Sequence, residues 1–367
     1  MDKRQFLKTT LFGTGGIACA ASSGAVLSED ADKWTREAMF YQSTPKGVRC
    51  QICPNECNIV EGQAGDCRNR VNRKGKLYSV AYGNPCAVHI DPIEKKPLLH
   101  FFPGSKSFSV ATAGCNLACL NCQNWTISQR SPSETQNEDL LPERLVGICK
   151  KEQCKSIAYT YSEPITFYEY TYDSSCLARQ EGIKNIMVTA GYINRDPLLK
   201  LCKVIDAANV DLKSFSDEIY MKLNGGKLQP ILDTLKTMKD EGVWLEITNL
   251  IVPSWTDDLD MIKRMCEWLM QNGFEDTPLH FSRFHPTYKL TQLPPTPVNI
   301  LMSARENALH EGLKYVYIEN VPEIGTENTI CPGCHQLVME RRGYRIVRNH
   351  IAGGKCSFCN TMIAGEW

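Results

Sequence analysis

The chain has 367 residues, 43% of them hydrophobic and 22% charged, and 41 Lys+Arg balance 41 Asp+Glu to a formal net charge of zero. This length can bury a large core, as one big domain with small additions or as two domains. Charge balance argues against a general nucleic-acid coat, so no nucleic-acid partner is expected; the eighteen cysteines are the informative departure from an ordinary composition.

Residues 1–30 come first. Lys3-Arg4-Gln5-Phe6-Leu7-Lys8 leads into a charge-free run, 9–28, rich in Gly, Ala, Ser and Thr. The run is too weakly apolar for a membrane span. It resembles a twin-arginine export signal in which Lys3 replaces the first arginine, with Ala18-Cys19-Ala20 as a candidate cleavage site. Export to the periplasm or membrane association is expected, and a cytoplasmic protein with a basic N-terminus is the alternative.

Residues 46–104 carry the first cysteine group on loops and short strands. Cys50, Cys53, Cys57 and Cys67 follow a C-x2-C-x3-C-x9-C spacing. Four thiolates suffice for a closed iron–sulfur cluster or for zinc. An auxiliary cluster that relays electrons and a structural zinc are the two readings of this group.

Residues 105–325 alternate short apolar runs with helical patterns. Strands are predicted over 109–113, 156–161, 185–190, 208–213, 244–252 and 280–284, with 314–318 a further candidate. Helices are predicted over 142–152, 165–181, 230–241, 258–272 and 298–311, and Thr256-Asp257-Asp258 and Asp196-Pro197 are helix-start signals. Six β/α units imply a parallel sheet, too short to close an eight-stranded barrel. The fold class expected is therefore α/β, a partial (β/α)6 barrel, with chemistry at the C-terminal strand ends.

Directly after the first predicted strand stands Gly114-Cys115-Asn116-Leu117-Ala118-Cys119-Leu120-Asn121-Cys122. C-x3-C-x2-C places three thiolates on one loop, able to hold three irons of a cubane and leave the fourth open. The competing reading is a zinc site whose fourth ligand is Cys154 or a histidine.

Residues 326–367 carry the third group. Cys331-Pro332-Gly333-Cys334 and Cys356-Ser357-Phe358-Cys359 flank a hairpin pattern over 337–347 with Gly343 near its turn. Two such knuckles predict a zinc-ribbon-like module, with an iron site as competitor. The seven remaining cysteines, scattered singly, read mostly as buried structural thiols.

The loop of Cys115, Cys119 and Cys122, at a strand end in a β/α series, resembles the radical S-adenosylmethionine (SAM) superfamily. That resemblance implies a [4Fe–4S] cluster whose open iron chelates SAM. It also implies an external one-electron reductant and a 5′-deoxyadenosyl radical that abstracts hydrogen. Asn121 departs from the aromatic residue that many members place before the last cysteine. Tyr161-Ser162-Glu163-Pro164 stands where the family has Gly-Gly-Glu-Pro, which implies that Glu163 receives the SAM ammonium group. Thr189 and Gly191 end the third predicted strand, Asp211 and Lys213 the fourth, and His285 the sixth. By resemblance to glycyl-radical activating enzymes these border SAM and its adenosine.

A closer likeness covers residue 46 to the C-terminus. Asp91-Pro92-Ile93-Glu94-Lys95-Lys96-Pro97-Leu98, Cys122-Gln123-Asn124-Trp125 and Phe281-Ser282-Arg283-Phe284-His285-Pro286 resemble the radical SAM member of the AmmeMemoRadiSam system, related to pyruvate formate-lyase activating enzymes. Glu319-Asn320 stands where that family has Gly-Asn. Memo-like and AMMECR1-like partners are implied by this likeness alone. The expectation is an enzyme that abstracts hydrogen from a protein or small molecule, in activase-like fashion. The alternative is a non-catalytic iron–sulfur electron carrier or a zinc-ribbon binding protein, against which a full β/α core argues.

Overall fold

The computed structural model describes residues 33–322 and 325–367. The expected export signal at 1–30, including Cys19, lies outside the described residues. Among those described, no helix is long and apolar enough to cross a membrane.

The central sheet opens with β1 (Ala87–Pro92), antiparallel to β2 (Lys106–Ala111). The rest run parallel to β2 in chain order: β3 (Ser156–Tyr159), β4 (Lys184–Thr189), β5 (Ala207–Asp211), β6 (Trp244–Ile251), β7 (Leu279–Arg283) and β8 (Val316–Glu319). Parallel neighbours require crossover connections, and each here contains a helix. These are α1 (Pro142–Lys151), α2 (Tyr168–Gln180), α3 (Arg195–Cys202), α4 (Gln229–Asp240), α5 (Leu259–Gln271) and α6 (Val298–His310). All six predicted strands are present. The candidate at 314–318 becomes β8, so the parallel series has seven strands where six units were counted. Helix α3 was marked only by its start signal, because eight residues give too few turns for a clear period. Strands β1 and β8 stand at opposite ends of the sheet, which stays open.

Strand periodicity separates two environments. Outward residues such as Met187, Ile247 and Phe281 pack with Ile231, Leu235 and Met238 of α4 and their counterparts in one large core. Each such burial contributes about 1.5–3 kcal/mol. Inward positions are polar: Asn209, Glu246, Thr248, His280 and Ser282 are all largely buried. Their polarity is met by the segment 93–104, which plugs the N-terminal half of the sheet's interior. Asn209 Nδ2 donates to Pro97 O at 2.8 Å, and the Glu246 carboxylate accepts Leu99 N–H at 3.0 Å and His100 N–H at 2.8 Å. Ile93, Leu98 and Phe101 pack there on Ala158, Ile186 and Ala207.

The N-terminal region adds two small antiparallel sheets, one of them holding Gly47–Cys50 and Asn58–Ile59. It is tied to α2 by Arg70, whose guanidinium meets both Glu169 oxygens at 3.0 and 3.2 Å with both side chains almost wholly buried. At the other end Leu337–Arg342 and Arg345–Asn349 form the expected hairpin, with Gly343 at φ 56° in its turn. Arg341 anchors it by donating to Leu99 O at 2.8 Å.

Candidate active site

The loop after β2 is shaped by its glycine. Gly114 has φ +97°, and a Cβ there would sit 2.4 Å from Cys67 O, so a side chain is excluded both by conformation and by space. The turn that follows presents Cys115, Cys119 and Cys122 to a cavity of about 1530 Å³ at the C-terminal edge of the sheet. Leu117 N–H lies 3.4 Å from Cys115 Sγ, and Asn224 Nδ2 lies 3.3 Å from Cys119 Sγ. Asn224 closes a π-helical turn, Tyr220–Asn224, of the kind that often marks functional sites. It donates to the loop from 105 residues away. No local sequence signal points to it.

Burial pushes the Cys115 thiol well up, helped by Glu163 and Cys119, and burial also raises Cys122. Thiols so placed become ligands only beside a strongly cationic partner. The donor set suits an iron–sulfur cluster better than one zinc ion. Among the described residues only Cys331, Cys334, Cys356 and Cys359 gather as a group able to hold a single metal ion, their sulfurs within 4.8 Å of one another. Cys154 is no fourth ligand, since it precedes β3 and therefore lies at the opposite edge of the parallel sheet, hydrogen-bonded to Cys149.

Successive strand ends complete the wall. Glu163, Thr189, Asp211, Lys213 and His285 all line the same cavity. The Glu163 carboxylate accepts Thr189 Oγ1–H at 2.6 Å and Ala190 N–H at 2.8 Å. Burial outweighs these bonds and raises its pKa to about 7. Lys213 donates to Asp211 at 2.7 Å; burial opposes its charge, but Asp211 and then Cys119 hold it above the usual lysine range. Gly191 is not on the wall. It has φ +67°, and a Cβ there would meet Val210 and Thr234 on the helix side of the sheet.

Two buried networks were not read from the sequence. Asp91 accepts from Lys96 Nζ at 2.6 Å and from the Tyr161 hydroxyl, and Tyr161 lines the cavity with φ 63°. His280 bridges Glu246 at 2.7 Å and Glu319 at 2.9 Å. Glu319, the departure from Gly-Asn, thus has a partner on the neighbouring strand. A charged residue at an inward position of a parallel strand was the available signal for Glu246.

Of the outer cysteine groups, Cys50, Cys53, Cys57 and Cys67 ring a small separate cavity behind the loop. The C-terminal four gather tightly, Cys331 Sγ to Cys359 Sγ at 3.6 Å and Cys334 Sγ to Cys356 Sγ at 3.7 Å. A tetrahedral ion with metal–sulfur bonds of about 2.3 Å sets its thiolates about 3.8 Å apart, so this donor set fits one such ion.

The Radical SAM superfamily profile matches residues 109–269. The chain is 47% identical over 331 residues to a Methanocaldococcus jannaschii protein named Uncharacterized protein MJ0808, covering 89% of this chain and 98% of that one. It is 29% identical over 164 residues to the pyruvate formate-lyase 1-activating enzyme of Escherichia coli K12, covering 44% of this chain and 67% of the other. A solved radical SAM methyltransferase from Sphaerobacter thermophilus aligns over 60% of this chain and 67% of its own, with 12% identity and a TM-score of 0.48. The profile falls on the β/α series whose first loop carries the three thiols, and the sequence kinship extends well beyond it: the chain belongs to the radical SAM superfamily.

Proposed function

We propose that this chain cleaves SAM reductively at a cluster held by Cys115, Cys119 and Cys122, and abstracts hydrogen from a substrate sharing the cavity. Membership of the superfamily implies the [4Fe–4S] cluster and SAM, and when bound the cluster supplies the electron and the open iron for cleavage. The observation that carries the reading is the meeting of those thiols with Glu163, Thr189, Asp211, Lys213 and His285 around one cavity. In this reading Glu163, oriented by Thr189 and Ala190, receives the SAM ammonium group as a carboxylate. Asp211 and Lys213 border the rest of SAM, and His285 lies by its adenosine. Leu117 N–H and Asn224 steady the thiolates.

A single small ligand needs about 300–1,000 Å³. The cavity, at about 1530 Å³, leaves room for a second molecule beyond SAM. Its far wall is polar, with Glu319, Asn320, Arg342 and Tyr344. Activation of a partner protein is a second reading, favoured by the kinship with an enzyme named as an activator of pyruvate formate-lyase. The C-terminal four thiols are proposed to hold structural zinc, supported by their sulfur spacing. Memo-like and AMMECR1-like proteins are the proposed partners.

The test is anaerobic reconstitution with iron and sulfide, then reduction by dithionite in the presence of SAM. Formation of 5′-deoxyadenosine is expected, and its loss in Cys119→Ala. A fully loaded, folded protein that releases none overturns the reading.

A further inference from the structure

Cys50, Cys53, Cys57 and Cys67 line one cavity together with Ile52, Ile59, Arg70 and Asn116. All four cysteines carry free thiols, three of them buried and Cys57 partly so. Zinc would draw four thiolate sulfurs to about 3.8 Å from one another, as the C-terminal set shows at 3.6 and 3.7 Å. The N-terminal four face the same space, but among the described residues only the C-terminal four gather as a group able to hold a single metal ion. Four thiols facing one cavity without gathering for a single ion suit a guest with four separate metal corners.

A second observation points to a ligand. Arg70 is fully buried in the cavity wall, and although its terminal nitrogens serve Glu169 and Met39, its Nε–H has no partner. A buried, charged N–H without an acceptor is costly unless a ligand meets it. Sulfide or thiolate of a cluster is such an acceptor, and hydrogen bonds to sulfur are among the levers that set cluster potential.

The position is also informative. Asn116, next in the chain after Cys115, forms part of this cavity's wall. Asn55 Nδ2 donates to Asn116 O at 3.0 Å. On the other side Cys67 O presses on Gly114 so closely that no Cβ fits. Two separate contacts therefore join the N-terminal cysteine segment to the two residues bonded to Cys115.

We propose that Cys50, Cys53, Cys57 and Cys67 hold a second [4Fe–4S] cluster that passes electrons to the central one through Asn116 and Gly114. The function as relay rests on the reductive cleavage proposed above; the occupancy of the site does not. A low-potential one-electron carrier of the ferredoxin or flavodoxin class reduces the second cluster from its 2+ to its 1+ state. That same electron then reduces the central cluster by one unit and returns the second to 2+, with no bond made or broken and no proton moved.

The full-length protein, reconstituted anaerobically, tests both parts. A variant with Cys115, Cys119 and Cys122 all changed to Ala should keep about four irons and four sulfides per chain, with a paramagnetic signal on reduction that SAM does not alter. Absence of iron with a second zinc per chain would overturn the site. The variant Cys53→Ala with Cys67→Ala should lose about that much iron and keep a SAM-responsive signal. That retained signal separates failure of the second site from failure of the central reading. With a protein carrier, 5′-deoxyadenosine formation in this variant should fall at least about tenfold, the scale of losing a supporting metal-site element, while dithionite sustains it. Unchanged rates with both reductants would overturn the relay. Should that variant not fold, Asn116→Leu, which keeps all cysteines, should slow carrier-driven but not dithionite-driven turnover, and equal rates again count against the relay.

Discussion

Raising the pH through the range 6.5 to 9 should weaken the fold through one residue, His280. Its Nε2 lies 2.7 Å from Glu246 Oε2 and its Nδ1 lies 2.9 Å from Glu319 Oε1. With a carboxylate at each nitrogen, both must donate, so the ring is an imidazolium. Burial opposes that charge, but Glu319 and Glu246 more than offset it and the pKa rises to about 9. An unfolded histidine titrates near 6.5. A pKa raised on folding stabilises fully below the unfolded value, and the contribution is lost as pH climbs through the folded one. The gap between 6.5 and about 9, at about 1.4 kcal/mol per pH unit, corresponds to about 3 kcal/mol. The assay is urea unfolding of wild type and His280→Gln at about pH 6, 7.5 and 9.5, with linear extrapolation to water. Wild type should lose about 3 kcal/mol across that window and the variant, less stable at the outset, should lose far less. Equal alkaline losses in the two proteins would refute the assignment.

Glu163, with its pKa raised to about 7, should bind the SAM ammonium group only when ionised. SAM affinity should then fall by about tenfold per pH unit below 7. In Glu163→Gln it should be flat with pH and weaker by about tenfold or more, from loss of a charged hydrogen bond; calorimetric titration reads both. Gly114→Ala forces a Cβ to 2.4 Å from Cys67 O at a left-handed φ, so a loss of about 2 kcal/mol or more and of central iron is expected. Thermal unfolding and iron content check it, and an unperturbed variant contradicts the packing described. Glu169→Ala strands the buried Arg70 and should cost about 3–5 kcal/mol of unfolding free energy, read by urea titration. Replacing both partners, Arg70→Met with Glu169→Leu, should recover much of that.

The sequence placed the β/α series well, because each strand and helix announces itself over a few consecutive residues. Asp258 was marked as a helix start, and its side chain does accept Asp260 N–H at the first turn of α5. The antiparallel partner β1 was not foreseen, since residues 87–92 carry no signal that separates a core strand from the loops around it. Glu163, Thr189, Asp211, Lys213 and His285 were gathered by a rule about strand ends, and they share one cavity. Gly191 followed the same rule, yet its missing side chain serves packing on Val210 and Thr234.

What the sequence determined by itself was the set of groups whose geometry is held within a few covalent bonds. The three thiols on the loop after β2 are of this kind, as are each C-terminal knuckle and the run of Cys50, Cys53 and Cys57. Tertiary structure decided which distant residues meet them. Asn224 reaches Cys119 across 105 positions, and Glu246 captures the backbone of Leu99 across 147. The Glu246 pairing follows from sheet order and from which face of a strand a side chain occupies, and a one-residue change of register would reverse it. The same packing brings the N-terminal cysteines against the loop of Cys115, a neighbourhood that no spacing along the chain encodes.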